Sequence, residues 1–384
     1  MKSSRIALVP SAFHPDTGGV EEHTRQVALG LADCGHHVEV WTVRVRDDAA
    51  TDEVDGIAVR RLPCPLPSAR PAAAARFAQA LPAAWRAWTD AAARFRPDLL
   101  HVQCFGPNGV YADRLARRRR LPLVLSTHGE LVADDFNAFS HSWTLRAGLR
   151  SAMRNATVTG CSEFALDGLR DTMGLPAGAG TVVPNGVDLH GEPPSPTWRP
   201  PADRYVLALG RAVHNKGFDL LLEAYARIAP HVGADLVIGG DGPASPALRA
   251  RAAELGVGHR VHLLGRLARD EVAAAMEHAS VLALPSRVES FGIVILEAWR
   301  AGVPVVATDR GGPAGIVTPG QDGLLVDPTD TAALAAALRD LLSDPARAAG
   351  MGACGRARVQ HLTWDDTVAA YERLYASRLL PQSR

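Results

Sequence analysis

Two cations stand in a glycine-bounded segment, Gly210–Gly217, which follows the apolar run Tyr205–Leu209. They are Arg211 and Lys216, and positive charges spaced in this way after a strand suit a diphosphate. Lys216 carries extra weight because the chain has 41 basic residues and only Lys2 and Lys216 are lysines. We expect its ammonium to reach a phosphoryl oxygen, the alternative being a solvated loop charge.

A second segment, Pro285–Glu297, follows an apolar strand and is predicted to open a helix. The unbonded N–H groups of a helix start attract an anion, and Gly292 would allow a ligand to approach closely. Glu289 and Glu297 lie eight positions apart, or about 12 Å along a helix. A sugar–diphosphate–ribose, with hydroxyls at both ends and an anion between them, fits that separation. The alternative makes Glu289 a helix cap and Glu297 an interface acid.

Two features of the N-terminal half could also contact a ligand. The pair Gly18-Gly19 precedes the predicted helix Val20–Ala32 and would open the backbone to a phosphate, although a plain turn is the alternative. His128 ends the predicted strand Leu123–Thr127, where we expect it to face a ligand. A lone histidine is more often structural.

Three carboxylates follow His128 at Glu130, Asp134 and Asp135, with no compensating basic cluster before Arg146. If they face the acceptor, they favour a polyhydroxylated molecule that bears ammonium groups, such as an aminocyclitol; solvated loop charges are the alternative. No Asp-x-Asp pair follows a strand, and no two histidines have metal-ligand spacing. The sequence therefore predicts no metal site.

Short β-branched or leucine-rich runs alternate with alanine-rich helical stretches, which predicts parallel sheets with helices on both faces. Five prolines among the twelve residues His190–Pro201 interrupt this alternation. We predict an α/β protein with two doubly wound, Rossmann-like domains at 1–190 and 204–363, joined by a Pro-rich linker at 191–203. Ligands of such sheets bind at the carboxyl ends of the strands, so both sheets are expected to face a central cleft.

Composition excludes several classes of protein. The 384 residues are 47% apolar, enough for two cores, and 41 basic residues balance 41 acidic ones, which disfavours a nucleic-acid binder. Five cysteines without a Cys-x-x-Cys pair favour a reduced, cytoplasmic compartment. No apolar run approaches the roughly 18 residues of a membrane span, although peripheral membrane contact stays open. The first strand lacks a following dinucleotide fingerprint, so no nicotinamide or other cofactor is predicted.

Together these segments resemble the retaining glycosyltransferases of family 4, which have the two-domain architecture called GT-B. The resemblance covers nearly the whole chain, and the order and spacing of its motifs are more specific than any one of them. The Glu-x7-Glu element is the most specific part. The motifs are Gly18–Val20, Asp98–Val102, Thr127–Gly129, Pro184–Asp188, Gly210–Gly217, Gly240–Pro243, Val261–Gly265, Glu289–Glu297 and Ala301–Ala307.

The resemblance implies roles for these residues. Arg211 and Lys216 would bind the donor diphosphate, Glu289 the donor sugar and Glu297 the ribose hydroxyls, with His128 and Gly19 completing the site from the acceptor-binding domain. The implied catalytic set is His128, Arg211, Lys216 and Glu289. Further donor-binding positions are Gly18, Gly210, Gly265, Arg266, Ser290, Phe291, Gly292, Ile293 and Val294. Residues 364–384 would form a helix that crosses back to the first domain.

Two positions depart from the family pattern. Gly315 stands where the family has a glutamate after Gly311-Gly312, and Trp299 replaces a small residue or methionine. Both changes are expected to reshape the edge of the cleft.

The predicted function is retaining, metal-independent transfer of a hexose-type sugar from a UDP- or GDP-sugar to a hydroxyl of a small-molecule acceptor. The arginine- and alanine-rich composition suggests a bacterium, where natural-product and cell-envelope pathways use such enzymes. Two alternatives remain: a nucleotide-sugar 2-epimerase, which needs additional acid/base carboxylates, and a non-catalytic nucleotide-sugar-binding protein. The intact set of Arg211, Lys216 and Glu289 disfavours the latter.

Overall fold

The computed structural model describes residues 3–16, 18–45, 50–67, 71–132, 138–191 and 193–379. These residues form two compact units. Unit 1 contains the described residues up to Pro184 together with those from Trp364 onward, and unit 2 is Asn185–Thr363. The division therefore falls a few residues before the predicted end of the first domain.

The described residues form helices in both units, and the first of these helices lies within one residue of the predicted Val20–Ala32 at each end. In chain order they are α1 (Gly19–Asp33), α2 (Pro71–Phe95), α3 (Pro107–Arg119), α4 (Ala138–His141), α5 (Trp143–Asn155), α6 (Glu163–Met173), α7 (Phe218–Ile228), α8 (Ser245–Glu254), α9 (Arg269–Glu277), α10 (Ile293–Ala301), α11 (Thr331–Ser343), α12 (Pro345–Val359) and α13 (Trp364–Leu379). Across the described segments, none of the helices combines the length and apolar character that crossing a bilayer requires.

Unit 1 is organised around one sheet of β1 (Arg5–Pro10), β2 (His37–Val43), β3 (Thr51–Val54), β4 (Ile57–Leu62), β5 (Leu99–Gln103), β6 (Leu123–Thr127), β7 (Thr157–Gly160) and β8 (Thr181–Val182). The spatial order is β3-β4-β2-β1-β5-β6-β7-β8. Neighbouring strands are parallel, except that β3 and β4 form an antiparallel hairpin, which was not predicted from the sequence.

Strand β1 shows why the central strands of this sheet have continuous apolar sequences. Ala7 and Val9 pack into one buried cluster, whereas Ile6 and Leu8 pack into a second cluster that also contains residues of α1 and α13. Because side chains alternate between the two faces and both faces are covered, the four consecutive residues Ile6–Val9 are all apolar.

Unit 2 contains a parallel sheet of β9 (Tyr205–Leu209), β10 (Asp235–Gly239), β11 (Val261–Gly265), β12 (Val281–Leu284), β13 (Val305–Thr308) and β14 (Gly323–Val326). Its order is β11-β10-β9-β12-β13-β14. The strand order reverses between β9 and β12, and ligands of open α/β sheets bind at such a switch point. The loops after β9 and β12 are therefore the ones to examine.

The expectation that Trp299 reshapes the edge of a cleft is wrong. Its side chain is fully buried, and its Nε1 donates to the carbonyl oxygen of Asp322 at 2.8 Å. A Cβ placed on Gly355 of α12 would lie 2.2 Å from the indole, so this glycine makes room for the ring. Trp299 is a core residue of α10 that packs against α12.

Candidate active site

The loops after β9 and β12 are in backbone contact at the switch point of unit 2. The amide of Arg287 donates to the carbonyl oxygen of Asn215 at 2.8 Å, and the Asn215 side chain donates to the carbonyl oxygen of Val288 at 3.0 Å. A Cβ on Gly217 would lie 2.0 Å from the carbonyl oxygen of Pro285. These contacts hold the loop that carries Lys216 against the loop that carries Glu289.

Lys216 and Glu289 form an ion pair across these two loops. Lys216 Nζ lies 2.7 Å from Glu289 Oε2, and Ser286 Oγ donates to the same oxygen at 3.0 Å. The Lys216 side chain is 27% exposed and that of Glu289 is 13% exposed. Burial alone would raise the pKa of Glu289, but the Lys216 charge and hydrogen bonds from Lys216, Ser286 and the Ser290 amide hold it below its usual value. Glu289 is therefore ionised at neutral pH.

A third loop, after β13, holds the backbone of Glu289. Its amide donates to the carbonyl oxygen of Arg310 at 3.1 Å, and its carbonyl oxygen accepts from Gly312 at 2.8 Å. The alternative of a helix-capping glutamate does not hold, because Gly292 is the residue that precedes α10 as its cap. The predicted separation of Glu289 and Glu297 along a continuous helix is also wrong, because only the residues from Ile293 to Glu297 are helical.

The start of α10 follows directly from this loop. Gly292 adopts a left-handed conformation with φ of 90°, which turns the chain into the helix. The amides of Ile293 and Val294 stand in the first turn, where no intrahelical acceptor exists. Ser290 and Phe291 are buried, whereas Glu297 is half-buried one turn into the helix. Any contribution of Ser290 and Phe291 to a ligand therefore comes mainly from their backbone.

The remaining predicted donor residues of unit 2 lie along the same edge of the sheet. Gly265 is the last residue of β11, whereas Gly210 and Gly240 directly follow β9 and β10, and the Gly240 amide donates to the carbonyl oxygen of Gly265 at 2.7 Å. A Cβ on Gly240 would lie 1.9 Å from the carbonyl oxygen of Gly210. Arg211 and Arg266 are exposed at this edge. The structure thus brings the predicted diphosphate residues to one side of the sheet, and their contact with a ligand stays a prediction.

In unit 1, His128 follows β6 and is half-buried. Its Nε2 lies 3.0 Å from Gln103 Oε1, and its ring packs edge-on against His23 with centroids 4.6 Å apart. Burial, together with the neighbouring His23 and His101, holds the pKa of His128 well below its usual value. At neutral pH this residue presents an uncharged imidazole.

Glu130 is engaged within unit 1, which corrects its assignment to the acceptor. Oε1 accepts from the amide of Phe105 at 2.9 Å, and Oε2 accepts from the amide of His128 and the hydroxyl of Thr127, both at 2.8 Å. Glu130 therefore fixes the loop that carries His128. The other two predicted acceptor residues, Asp134 and Asp135, lie outside the described residues.

The glycine pair stands at the N-terminus of α1, as predicted. The helix begins at Gly19, and Gly18 is extended, with its carbonyl oxygen accepting from the amide of Glu22 at 3.0 Å. Glu21 and Glu22 occupy the first turn and complement the positive end of the helix. Phosphate binding by this glycine pair stays a prediction.

Sequence reasoning missed the residues that hold the candidate site in place. Ser286 and Asn215 anchor the ion pair and its loops, and Gln103 contacts His128. All three follow or end a strand of a parallel sheet, so the position of a polar residue at a strand's carboxyl end was the available signal.

The stability of unit 2 should depend on pH through Glu289. Its folded pKa is lowered, so its contribution to the free energy of unfolding is fully present above the unfolded pKa and is lost as pH falls through the folded pKa. We expect the stability advantage of the wild type over Glu289→Gln to be constant at neutral pH and to shrink below about pH 4.5. Denaturant titrations between neutral and acidic pH measure this difference, and a difference that stays constant over the whole range would contradict the pairing.

Comparison with known proteins shows the family of this chain. Residues 17–190 match Glycosyltransferase Family 4, and residues 196–358 match Glycosyl transferases group 1. A GDP-mannose-dependent alpha-(1-6)-phosphatidylinositol monomannoside mannosyltransferase from Mycolicibacterium smegmatis is 32% identical over 377 residues, which cover 91% of this chain and 92% of that protein. A D-inositol 3-phosphate glycosyltransferase from Streptomyces avermitilis is 35% identical over 188 residues, 46% of this chain and 40% of that protein.

Among solved structures, a sucrose-phosphate synthase from Thermosynechococcus elongatus superimposes with a TM-score of 0.81 at 27% identity, covering 97% of this chain and 98% of that one. Two Rossmann-like units with such relatives define a GT-B glycosyltransferase that uses a nucleotide sugar. The chain belongs to glycosyltransferase family 4.

Proposed function

We propose that this enzyme transfers a hexose, with retention of configuration and without a metal ion, from a nucleotide diphosphate sugar to a hydroxyl of a cyclitol-containing acceptor. Binding of the sugar donor is supported by the Lys216–Glu289 pair at the switch point of unit 2. The loop that carries Glu289 leads directly into the first turn of α10. The switch point therefore brings together a cation that can bind phosphate, a carboxylate that can accept hydrogen bonds from hydroxyls, and a helix N-terminus that can bind an anion.

Each member of this set has a distinct chemical task. The Lys216 ammonium has three donors, and with one directed to Glu289 the others can serve phosphoryl oxygens. An ionised Glu289 repels phosphate but accepts hydrogen bonds from sugar hydroxyls. Lys216, Arg211 and the amides of Ile293 and Val294 would together stabilise the negative charge that grows on the leaving diphosphate.

Retention is supported by the resemblance to family 4 and by the lack of an assigned carboxylate nucleophile. In the proposed step, the bond between the anomeric carbon and the diphosphate oxygen breaks as the acceptor oxygen bonds to that carbon on the same face. The acceptor proton passes to the leaving phosphate oxygen, which balances charge. Glu289 stays a hydrogen-bond acceptor throughout.

The names of the relatives support the choice of substrates. One relative uses GDP-mannose, and two act on acceptors whose names contain inositol, which is a cyclitol. The acidic residues Asp134 and Asp135 favour an aminocyclitol within that class, as in natural products, whereas a phosphorylated inositol would point to cell-envelope glycosides. A cytoplasmic location remains part of this proposal.

The experiment that tests this function incubates the full chain with GDP-mannose, GDP-glucose, UDP-glucose or UDP-N-acetylglucosamine. Nucleoside diphosphate release is measured with and without inositol, inositol 3-phosphate or an aminocyclitol, and the anomeric configuration of the product is read by NMR. Acceptor-dependent release with an axial product from an axial donor supports the proposal. Interconversion of donor sugars without an acceptor would indicate an epimerase, and binding without any reaction would indicate a non-catalytic protein.

Metal independence gives a separate prediction. Because cations and helix amides supply the charge stabilisation, we expect EDTA to leave the initial rate of glycosyl transfer unchanged. Among the described residues, no group of three His, Cys, Asp or Glu side chains is placed to hold a metal ion. Complete loss of activity in EDTA that Mn²⁺ restores would contradict this part of the proposal.

A further inference from the structure

Helix α13 covers unit 1 through a buried layer of polar side chains rather than through apolar contacts alone. Tyr371 and Tyr375 project from α13 onto His101 of β5 and Ser126 of β6, and all four are almost completely buried. Apolar residues would be the ordinary choice for such an interface, since a buried polar group is costly unless its hydrogen bonds are satisfied. Packing alone therefore does not explain why these buried residues are polar.

The polar layer continues from α13 to His128. The Tyr375 hydroxyl lies 2.6 Å from His101 Nδ1, and the Gln103 side-chain nitrogen lies 3.3 Å from the same atom. Gln103 Oε1 lies 3.0 Å from His128 Nε2. On its other side, His101 Nε2 lies 2.6 Å from Ser126 Oγ. Three consecutive hydrogen bonds thus join the C-terminal helix to the predicted catalytic histidine.

The number of protons on each group fixes the direction of these bonds. Burial raises the pKa of Tyr375, so its hydroxyl keeps its single proton. Within the described contacts of that hydroxyl, His101 Nδ1 is the acceptor. His101, uncharged because burial holds its pKa well below the usual value, therefore carries its proton on Nε2 and donates it to Ser126.

The orientation of Gln103 follows from that of His101. A nitrogen that accepts from Tyr375 can face only the NH₂ end of the Gln103 amide, which turns the carbonyl oxygen toward His128. A carbonyl oxygen only accepts, so His128 must carry its proton on Nε2 and keep the lone pair of Nδ1. The reversed amide would place two acceptors together unless His101 also changed tautomer.

We propose that Tyr375 is a positioning residue that sets the tautomer of His128 through His101 and Gln103, so that His128 offers Nδ1 as a hydrogen-bond acceptor to a substrate hydroxyl. The substrate part rests on the proposed function, whereas the tautomer is a property of the protein without substrate. Helix α13 thereby prepares the candidate site in addition to completing the fold of unit 1.

The test is ¹⁵N NMR of the full chain labelled at its histidine imidazoles, without substrate, with the His128 signals identified by their loss in His128→Gln. In the wild type, we expect a pyrrole-type Nε2 and a pyridine-type Nδ1 at His128. Tyr375→Phe removes only the hydroxyl and should shift His128 to a mixture of both tautomers. Gln103→Leu should do the same at His128 while His101 keeps its proton on Nε2.

The matched control is Tyr111→Phe, which removes another buried hydroxyl of unit 1 that donates to the carbonyl oxygen of Pro65 at 2.8 Å. It should leave the His128 signals unchanged. An unchanged His128 tautomer in both Tyr375→Phe and Gln103→Leu would overturn the relay, as would an equal shift in Tyr111→Phe. Because the signals are read without substrate, these outcomes are independent of whether wild-type glycosyl transfer is observed.

Discussion

Replacement of Lys216 with alanine should lower kcat by roughly 10²–10³-fold, the usual effect of removing one preorganised group that stabilises developing negative charge. The reason is that the ammonium lies at the switch point of unit 2, where the donor diphosphate is proposed to bind. Initial rates of acceptor-dependent nucleotide release measure the effect. Arg211→Ala should also lower kcat, and rates within about twofold of wild type for both variants would contradict the diphosphate assignment.

The structure changes what this substitution should do to stability. A lysine in a solvent-lined cleft could be removed at little cost to stability. Lys216 instead pairs with a mostly buried Glu289, and its loss leaves that carboxylate with less compensation. We expect the free energy of unfolding to fall by about 1–3 kcal/mol.

A double-mutant cycle separates catalysis from this structural effect. Glu289→Gln removes the charge, and the double variant Lys216→Ala/Glu289→Gln should recover part of the lost stability without recovering turnover. Stability losses that simply add would show that the two residues act independently. Arg211→Ala serves as the comparison, because Arg211 is exposed and its loss should change stability little.

Gly217→Ala should destabilise unit 2 by roughly 3 kcal/mol or more. Gly217 has φ of 66°, and a Cβ there would meet the carbonyl oxygen of Pro285 at 2.0 Å. Backbone atoms cannot yield as a flexible side chain does, so the loops after β9 and β12 would have to separate. Denaturant-induced unfolding measures the loss, and activity should fall with it because Lys216 is the preceding residue.

The matched control is Gly256→Ala. Gly256 has φ of 73°, but no heavy atom lies within 4 Å of a Cβ placed there. This variant carries the left-handed strain alone, which costs about 1–2 kcal/mol. Equal destabilisation by the two substitutions would show that the close approach of the two loops does not matter.

The regular elements were predictable because each is a buried strand or an amphipathic helix with clear limits. Tyr205–Leu209 and Leu123–Thr127 were predicted with the bounds that the structure has. The β3–β4 hairpin was missed, although Asp55-Gly56 is a turn dipeptide and both residues have positive φ. A polar exposed strand such as β3 lacks the apolar run on which the prediction relied.

The candidate site was predictable as a set of residues but not as a set of contacts. Lys216 and Glu289 are 73 residues apart, and nothing in the spacing shows that they pair with each other. The link between His101 and Tyr375 spans 274 residues and depends on where α13 docks. Glu130 was assigned to an acceptor because the sequence could not show that its oxygens accept from Phe105 and His128.

The proposed function depends on binding of the diphosphate of a nucleotide sugar at the switch point of unit 2. Calorimetric titration of the full chain with GDP, GMP, UDP and UMP tests it most directly, with Lys216→Ala titrated in parallel. We expect the preferred nucleoside diphosphate to bind at least about tenfold more tightly than its monophosphate, a difference of about 1.4 kcal/mol, and we expect Lys216→Ala to remove most of that difference. Equal affinity of the wild type for diphosphate and monophosphate, or a preference that Lys216→Ala leaves unchanged, would contradict it.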